Sequence, residues 1–146
     1  MIPRTVLIAI EPFGDGIDAA RAAAAIGRGL QAADPSLAVD LCPIGPATPE
    51  SAHAAAAQAP HDFDRRMRTA RAIVVGGERL DEHTLLGSAT FALATRARQA
   101  GVPAYAVTAD NRLNLFDARI LDLQVVLQAR DTRALRKAGE RLAELV

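Results

Sequence analysis

Five short runs of apolar, mostly β-branched residues recur along the chain, separated by segments whose apolar positions follow helical spacing. No other feature constrains the fold as tightly. Arg4–Ile10 is continuously apolar after its first two residues, as expected of a strand covered on both faces of a parallel sheet. Leu37–Cys42, Ala72–Val75, Ala104–Val107 and Leu123–Leu127 are the other four strand candidates. Between the first two, Ala19, Ala22, Ala23, Ile26 and Leu30 mark a helix from about Asp18 to Ala33, with Asp15 or Asp18 as its cap and Asp34-Pro35 as its end. Leu86, Ala89, Leu93 and Ala97 mark a second helix over Thr84–Ala100, closed by Gly101. Leu135, Ala138, Leu142 and Leu145 mark a last one over Thr132–Leu145. Shorter helices are expected over Glu50–Ala59, Asp62–Thr69 and Asn111–Arg119. The alternation predicts an α/β fold: one domain over residues 1–146, with a five-stranded, mostly parallel sheet and helices on both faces, Rossmann- or flavodoxin-like.

Composition excludes several functions. Seventeen basic and seventeen acidic residues leave no net charge to draw the chain to nucleic acid or acidic lipid, and 3% aromatics provide few stacking platforms. One cysteine, Cys42, cannot form an internal disulfide and reads as a core thiol. No apolar run is long enough to span a membrane, and Met1-Ile2-Pro3-Arg4 leads straight into the first strand, so a cytoplasmic location is expected. Lys137 is the sole lysine among seventeen basic residues, which leaves a phosphoryl-transfer site short of ammonium groups.

In open α/β sheets, ligands sit beyond the carboxyl ends of the strands. The candidate loops are Glu11–Gly16, Pro43–Pro46, Gly76–Asp81 and Thr108–Asn111. Gly14-x-Gly16, with Ala19 in the third glycine's place, partly fits a dinucleotide fingerprint, but Asp15 and Asp18 oppose a pyrophosphate and a tight turn is the favoured explanation of the glycines. No P-loop occurs. After the third strand, Gly76-Gly77-Glu78-Arg79-Leu80-Asp81 allows close backbone approach and sets two carboxylates beside a guanidinium, a set able to take a magnesium ion and a phosphate. The same residues also fit a structural role, with Arg79 paired to Glu78 or Asp81 and either Asp81 or Thr84 capping the next helix. Arg65, Arg66, Arg68 and Arg71 form a local basic cluster, either an anion patch or, as zero net charge favours, a solvated helix face. His53, His61 and His83 lack zinc-ligand spacing, and Ser51 and Ser88 lack a nucleophile's setting.

At two of these loops the sequence resembles the bacterial glycerate kinases whose Rossmann-like domain is split by a large insertion. Ala9–Ala19 runs in register with that family's A-P-D-S-F-K-G-S-L-S-A, and Ala72–Ser88 resembles its D-L-V-I-T-G-E-G-R-L-D-x-Q-S-L-x-G-K, followed here by Gly101-Val102-Pro103. The resemblance covers residues 4–43 and about 60–146. It implies ATP and magnesium as cofactors and glycerate or another small molecule as substrate. Asp81 becomes the base or a metal ligand, Arg79 a phosphate clamp, and Glu78 and Asp81 the magnesium ligands. Glu11, Phe13, Gly14, Gly76, Gly77, Glu78 and Thr84 become the phosphate or substrate cradle. The departures are equally specific. Gly14 and Ser88 stand where the family has lysines, Pro12 where it has serine and Glu11 where it has aspartate. The inserted domain that forms the other wall of the cleft is missing between Pro43 and Pro60. Transfer of a phosphoryl group depends on positioning and on cations that neutralise the moving charge. The expectation is therefore a glycerate kinase-like protein with degenerate catalysis; the alternative is a non-catalytic small-molecule-binding or protein-interaction module. Either way, the surface bared by the missing domain predicts a homodimer or a partner subunit.

Overall fold

The computed structural model describes residues 4–14, 16–45, 62–82 and 88–146. Five strands, β1 (Thr5–Ile10), β2 (Ala38–Leu41), β3 (Ala72–Leu80), β4 (Ala104–Asn111) and β5 (Leu123–Gln128), form one parallel sheet in the order β2-β1-β3-β4-β5. The intervening helices are α1 (Ala19–Ala33), α2 (Phe63–Arg68), α3 (Ala89–Ala100), α4 (Leu115–Ile120) and α5 (Thr132–Ala143). This is the flavodoxin-like order, whose direction of growth reverses between β1 and β3.

Two apolar layers hold it together. On one face, Ala22, Ile26 and Leu30 of α1 meet Leu135, Ala138 and Leu142 of α5 over Val6, Ile8, Val74 and Val107. On the other, Phe63 and Met67 of α2 join Leu93 and Ala97 of α3 over Leu7, Ile73, Val75 and Ala106. The alternating inward and outward residues of each central strand are apolar in both directions, which is why the sequence reads as unbroken hydrophobic runs. Cys42 is buried, as expected, in the second layer, where desolvation raises its pKa. Within the first layer the main chains of α1 and α5 touch: a Cβ added at Gly29 would overlap the Arg136 carbonyl oxygen, and one at Gly139 that of Ile26.

Four sequence expectations change. The third strand does not stop at Gly76-Gly77, nor the fourth at Val107. They run on together, with Gly77 opposite Thr108, Arg79 opposite Asp110 and Leu80 opposite Asn111. The glycine pair is an interior strand feature: Gly76 has φ 144°, and a Cβ there would overlap the carbonyl oxygen of Val107 on β4. Helix α3 starts at Ala89, not Thr84, because the Ser88 side chain accepts from the Phe91 N–H and caps it. Thr84, Gly87, Asp15, the three histidines, Ser51 and the Glu50–Ala59 helix lie outside the described residues. Asp18, not Asp15, caps α1 by accepting from the Arg21 N–H at 2.7 Å.

The fourth change concerns Arg66. It is not on a solvated face. Its guanidinium donates to both oxygens of Asp40 on β2, at 2.9 and 2.5 Å, and lies 3.7 Å from Asp62. This partly buried fork fastens α2 to the sheet edge, and the bond to Asp40 raises the arginine's pKa. Asp40→Ala is expected to cost about 1–3 kcal/mol, the range for a charge-assisted hydrogen bond. Urea unfolding checks it, and a midpoint unchanged from wild type would refute the role given to the pair.

Candidate functional site

The crevice at the reversal of strand order is where a ligand would be sought first. Glu11, just past the end of β1, lies there. Its N–H donates to the Gly76 carbonyl at 2.9 Å, and its Oε2 lies 3.0 Å from where a Gly77 Cβ would stand. Burial raises the pKa of this carboxyl, against the lowering effect of the Thr90 and Ala89 backbone N–H groups at the start of α3. Its Oε1 is buried without a hydrogen-bond partner among the described residues.

The Gly14–Gly16 segment is a turn. Phe13 donates to the Ile17 carbonyl at 3.0 Å and Ile17 returns a bond to Gly14 at 2.9 Å, with Gly14 and Gly16 at φ 70° and 78°. Two of the amides that a phosphate cradle would need are thus spent inside the turn. Gly14 also faces the Glu78 carboxylate, whose Oε1 lies 2.7 Å from where a Cβ would stand. An anion brought to this turn would meet a carboxylate.

The open space lies beside it. A groove of about 370 Å³ opens at the carboxyl ends of β3, β4 and β5, lined by Phe13, Glu78, Arg79, Ala109, Asp110, Arg112 and Arg130. Its polar wall is built across strands. Arg79 of β3 and Arg112, just past β4, both reach Asp110: Nε of Arg79 lies 3.5 Å from Oδ2, and Nε of Arg112 donates to the same oxygen at 2.9 Å. The Arg112 N–H donates to the Leu80 carbonyl at 2.7 Å, which holds its backbone against the end of β3. Arg130 follows β5 and donates through Nε to the Ala109 carbonyl at 3.2 Å. The buried ring of Phe13 contributes an apolar surface.

Three guanidinium groups against two carboxylates give the lining one net positive charge. A guanidinium carries five N–H donors in a planar fork, so one shared aspartate oxygen does not exhaust Arg79 and Arg112. The groove can grip a carboxylate or phosphate.

Of the residues expected from sequence, the structure brings Phe13, Glu78 and Arg79 to this groove, and Gly14 adjoins Glu78. Glu11, Gly76 and Gly77 lie against one another on β3 and just past β1, outside the groove lining. Asp81 is half-buried past the end of β3, outside the groove lining, and Thr84 lies outside the described residues. Of the two expected carboxylates, Glu78 on β3 lines the groove and Asp81, just past the strand, does not. Among the described residues no three His, Cys, Asp or Glu side chains converge as metal ligands.

Sequence reasoning missed Arg112 and Arg130, and flagged Asp110 only as part of a loop. The position of Arg130 immediately beyond the fifth strand was the available signal. No protein-family model matches the chain, and no curated protein matches it in sequence.

Proposed function

We propose that this chain is a non-catalytic, small-anion-binding module on a glycerate kinase-like fold, with phosphate- or carboxylate-bearing molecules as its ligands. The observation that carries the reading is the convergence of Arg79, Arg112 and Arg130 on one groove at the carboxyl ends of three strands, two of them oriented by Asp110. The glycerate kinase resemblance supplies the ligand class, glycerate and its phosphates. The loss of catalysis follows from the residues. Gly14 and Ser88 replace the family's lysines, the turn at Gly14 is closed on itself beneath a carboxylate, and Asp81 stands outside the groove. A transferring phosphoryl group would find arginines but no ammonium group, with Lys137 far along the chain on α5.

Calorimetric titration with phosphoglycerate, pyrophosphate, glycerate and ATP tests the reading. Phosphoglycerate or pyrophosphate is expected to bind in a salt-sensitive manner, and Arg112→Ala to weaken it about 10- to 100-fold, the equivalent of one charge-assisted hydrogen bond. No binding by any of the four removes the anion-site reading. Formation of phosphoglycerate from ATP, magnesium and glycerate, abolished in Asp81→Ala, would instead show that transfer survives.

A further inference from the structure

The charges of the groove are sorted along the sheet, in which β1, β3, β4 and β5 lie in that order. On the β1 side stands the carboxylate of Glu78, its Oε1 2.7 Å from where a Gly14 Cβ would be, in the turn that follows β1. The guanidinium groups gather on the other side. Arg79 reaches across to Asp110 on β4, Arg112 shares that carboxylate, and Arg130 follows β5. Asp110 is therefore taken by two arginines. Glu78, exposed in the lining, makes no hydrogen bond or ion pair among the described residues. Arg130 is bonded there through Nε alone, which leaves its terminal N–H groups to a ligand. Once Asp110 is set against the three arginines, two positive charges remain at one end of the groove, and Glu78 puts one negative charge at the other.

We propose that the groove takes a phosphate monoester that also carries an ammonium group, such as a phosphorylated amino acid. The phosphate lies among Arg79, Arg112 and Arg130, and the ammonium against Glu78. This deepens the small-anion reading above and rests on it. A phosphate monoester brings about two negative charges at neutral pH, which match the surplus at the arginine end. An ammonium has three donors and no acceptor, so a carboxylate without a partner suits it in charge and in hydrogen bonding alike. Adjacent strands lie about 4.8 Å apart, so one or two such spacings divide the two ends, within reach of a phosphate and an amine joined by a two-carbon link and met by long side chains. A ligand with anionic groups at both ends would instead set like charge against Glu78 and be disfavoured. The volume of about 370 Å³ is that of a small-molecule site, near the lower end of the roughly 300–1,000 Å³ range.

Calorimetric titration of the whole chain with phosphoserine and with phosphoglycerate tests this, because the two differ in having an ammonium or a hydroxyl on the same carbon. Near neutral pH and at low salt, phosphoserine is expected to bind about 3- to 10-fold more tightly, the range left to one charge-assisted contact at an exposed carboxylate. In Glu78→Gln that preference is expected to vanish, while phosphoglycerate binds no more weakly than to the wild type; its retention also shows that the variant is folded. Equal binding of the two ligands by the wild type overturns the proposal and leaves the anion-site reading standing. A preference that persists in Glu78→Gln overturns it as well, since the ammonium would then be read elsewhere. So does a variant that loses both ligands, because the carboxylate would then be shaping the groove. If neither ligand binds the wild type, the anion-site reading fails and this proposal with it.

Discussion

Replacing Gly76 with alanine is expected to remove about 2–6 kcal/mol of folding free energy, a large share of the roughly 5–15 kcal/mol a domain possesses. Two costs act at the same atom. The backbone at φ 144° lies where L side chains are strained, and the added methyl would overlap the Val107 carbonyl oxygen on the neighbouring strand. That oxygen belongs to the sheet and cannot rotate away, so relief must come from separating β3 and β4. Gly16→Ala is the control. Its φ is 78°, but nothing lies within 4 Å of the new carbon, so it should lose only the strain of about 1–2 kcal/mol. Urea denaturation separates the two cases. A Gly76→Ala midpoint no lower than that of Gly16→Ala would show that the strands are not held as closely as described.

The second large effect is expected at the crossing of α1 and α5. Gly139→Val should cost about 3 kcal/mol or more, although Val is a better helix former than Gly by a few tenths of a kcal/mol. The helices approach so closely that Gly139 stands against the Ile26 carbonyl and Gly29 against that of Arg136. Any side chain wedges them apart and loosens Ile26, Leu30, Leu135 and Leu142, which are wholly buried between the helices and the sheet. Because the two glycines guard one gap, Gly29→Ala combined with Gly139→Val should cost less than the sum of the separate losses. Strict additivity in thermal melts would mean that the two contacts are independent, against the geometry. A more stable Gly139→Val would mean that propensity outweighs the approach.

These two glycine roles show where sequence reading succeeds and where it stops. Continuous apolar runs and helical spacing located β1, β5, α1 and α5 closely, because burial on a two-faced sheet leaves a local imprint. Gly76-Gly77 reads locally as the end of a strand because an isolated glycine pair usually signals a turn. The reason for Gly76 lies in the main chain of β4, some thirty residues further on, and no local pattern records it. The groove is similarly non-local. Arg79, Arg112 and Arg130 belong to no motif and meet only through the strand order. Glu78 and Asp81 suggest a joint site because they are close in sequence, yet of the two only Glu78 lines the groove. Arg66, read as solvated from the arginine cluster, is held by Asp40 of a strand 26 positions earlier.

The joint extension of β3 and β4 past the rest of the sheet has a kinetic consequence. Arg79 and Asp110 stand on paired strands, and Arg112 is tied by its own N–H to Leu80. That wall of the proposed anion groove is built from paired strands. If the proposed function holds, an anion would meet a wall already formed, so little ordering entropy is lost in it and capture should proceed as a simple bimolecular encounter. Discrimination among anions then rests on how long each is retained, not on a rearrangement that only the right one can provoke.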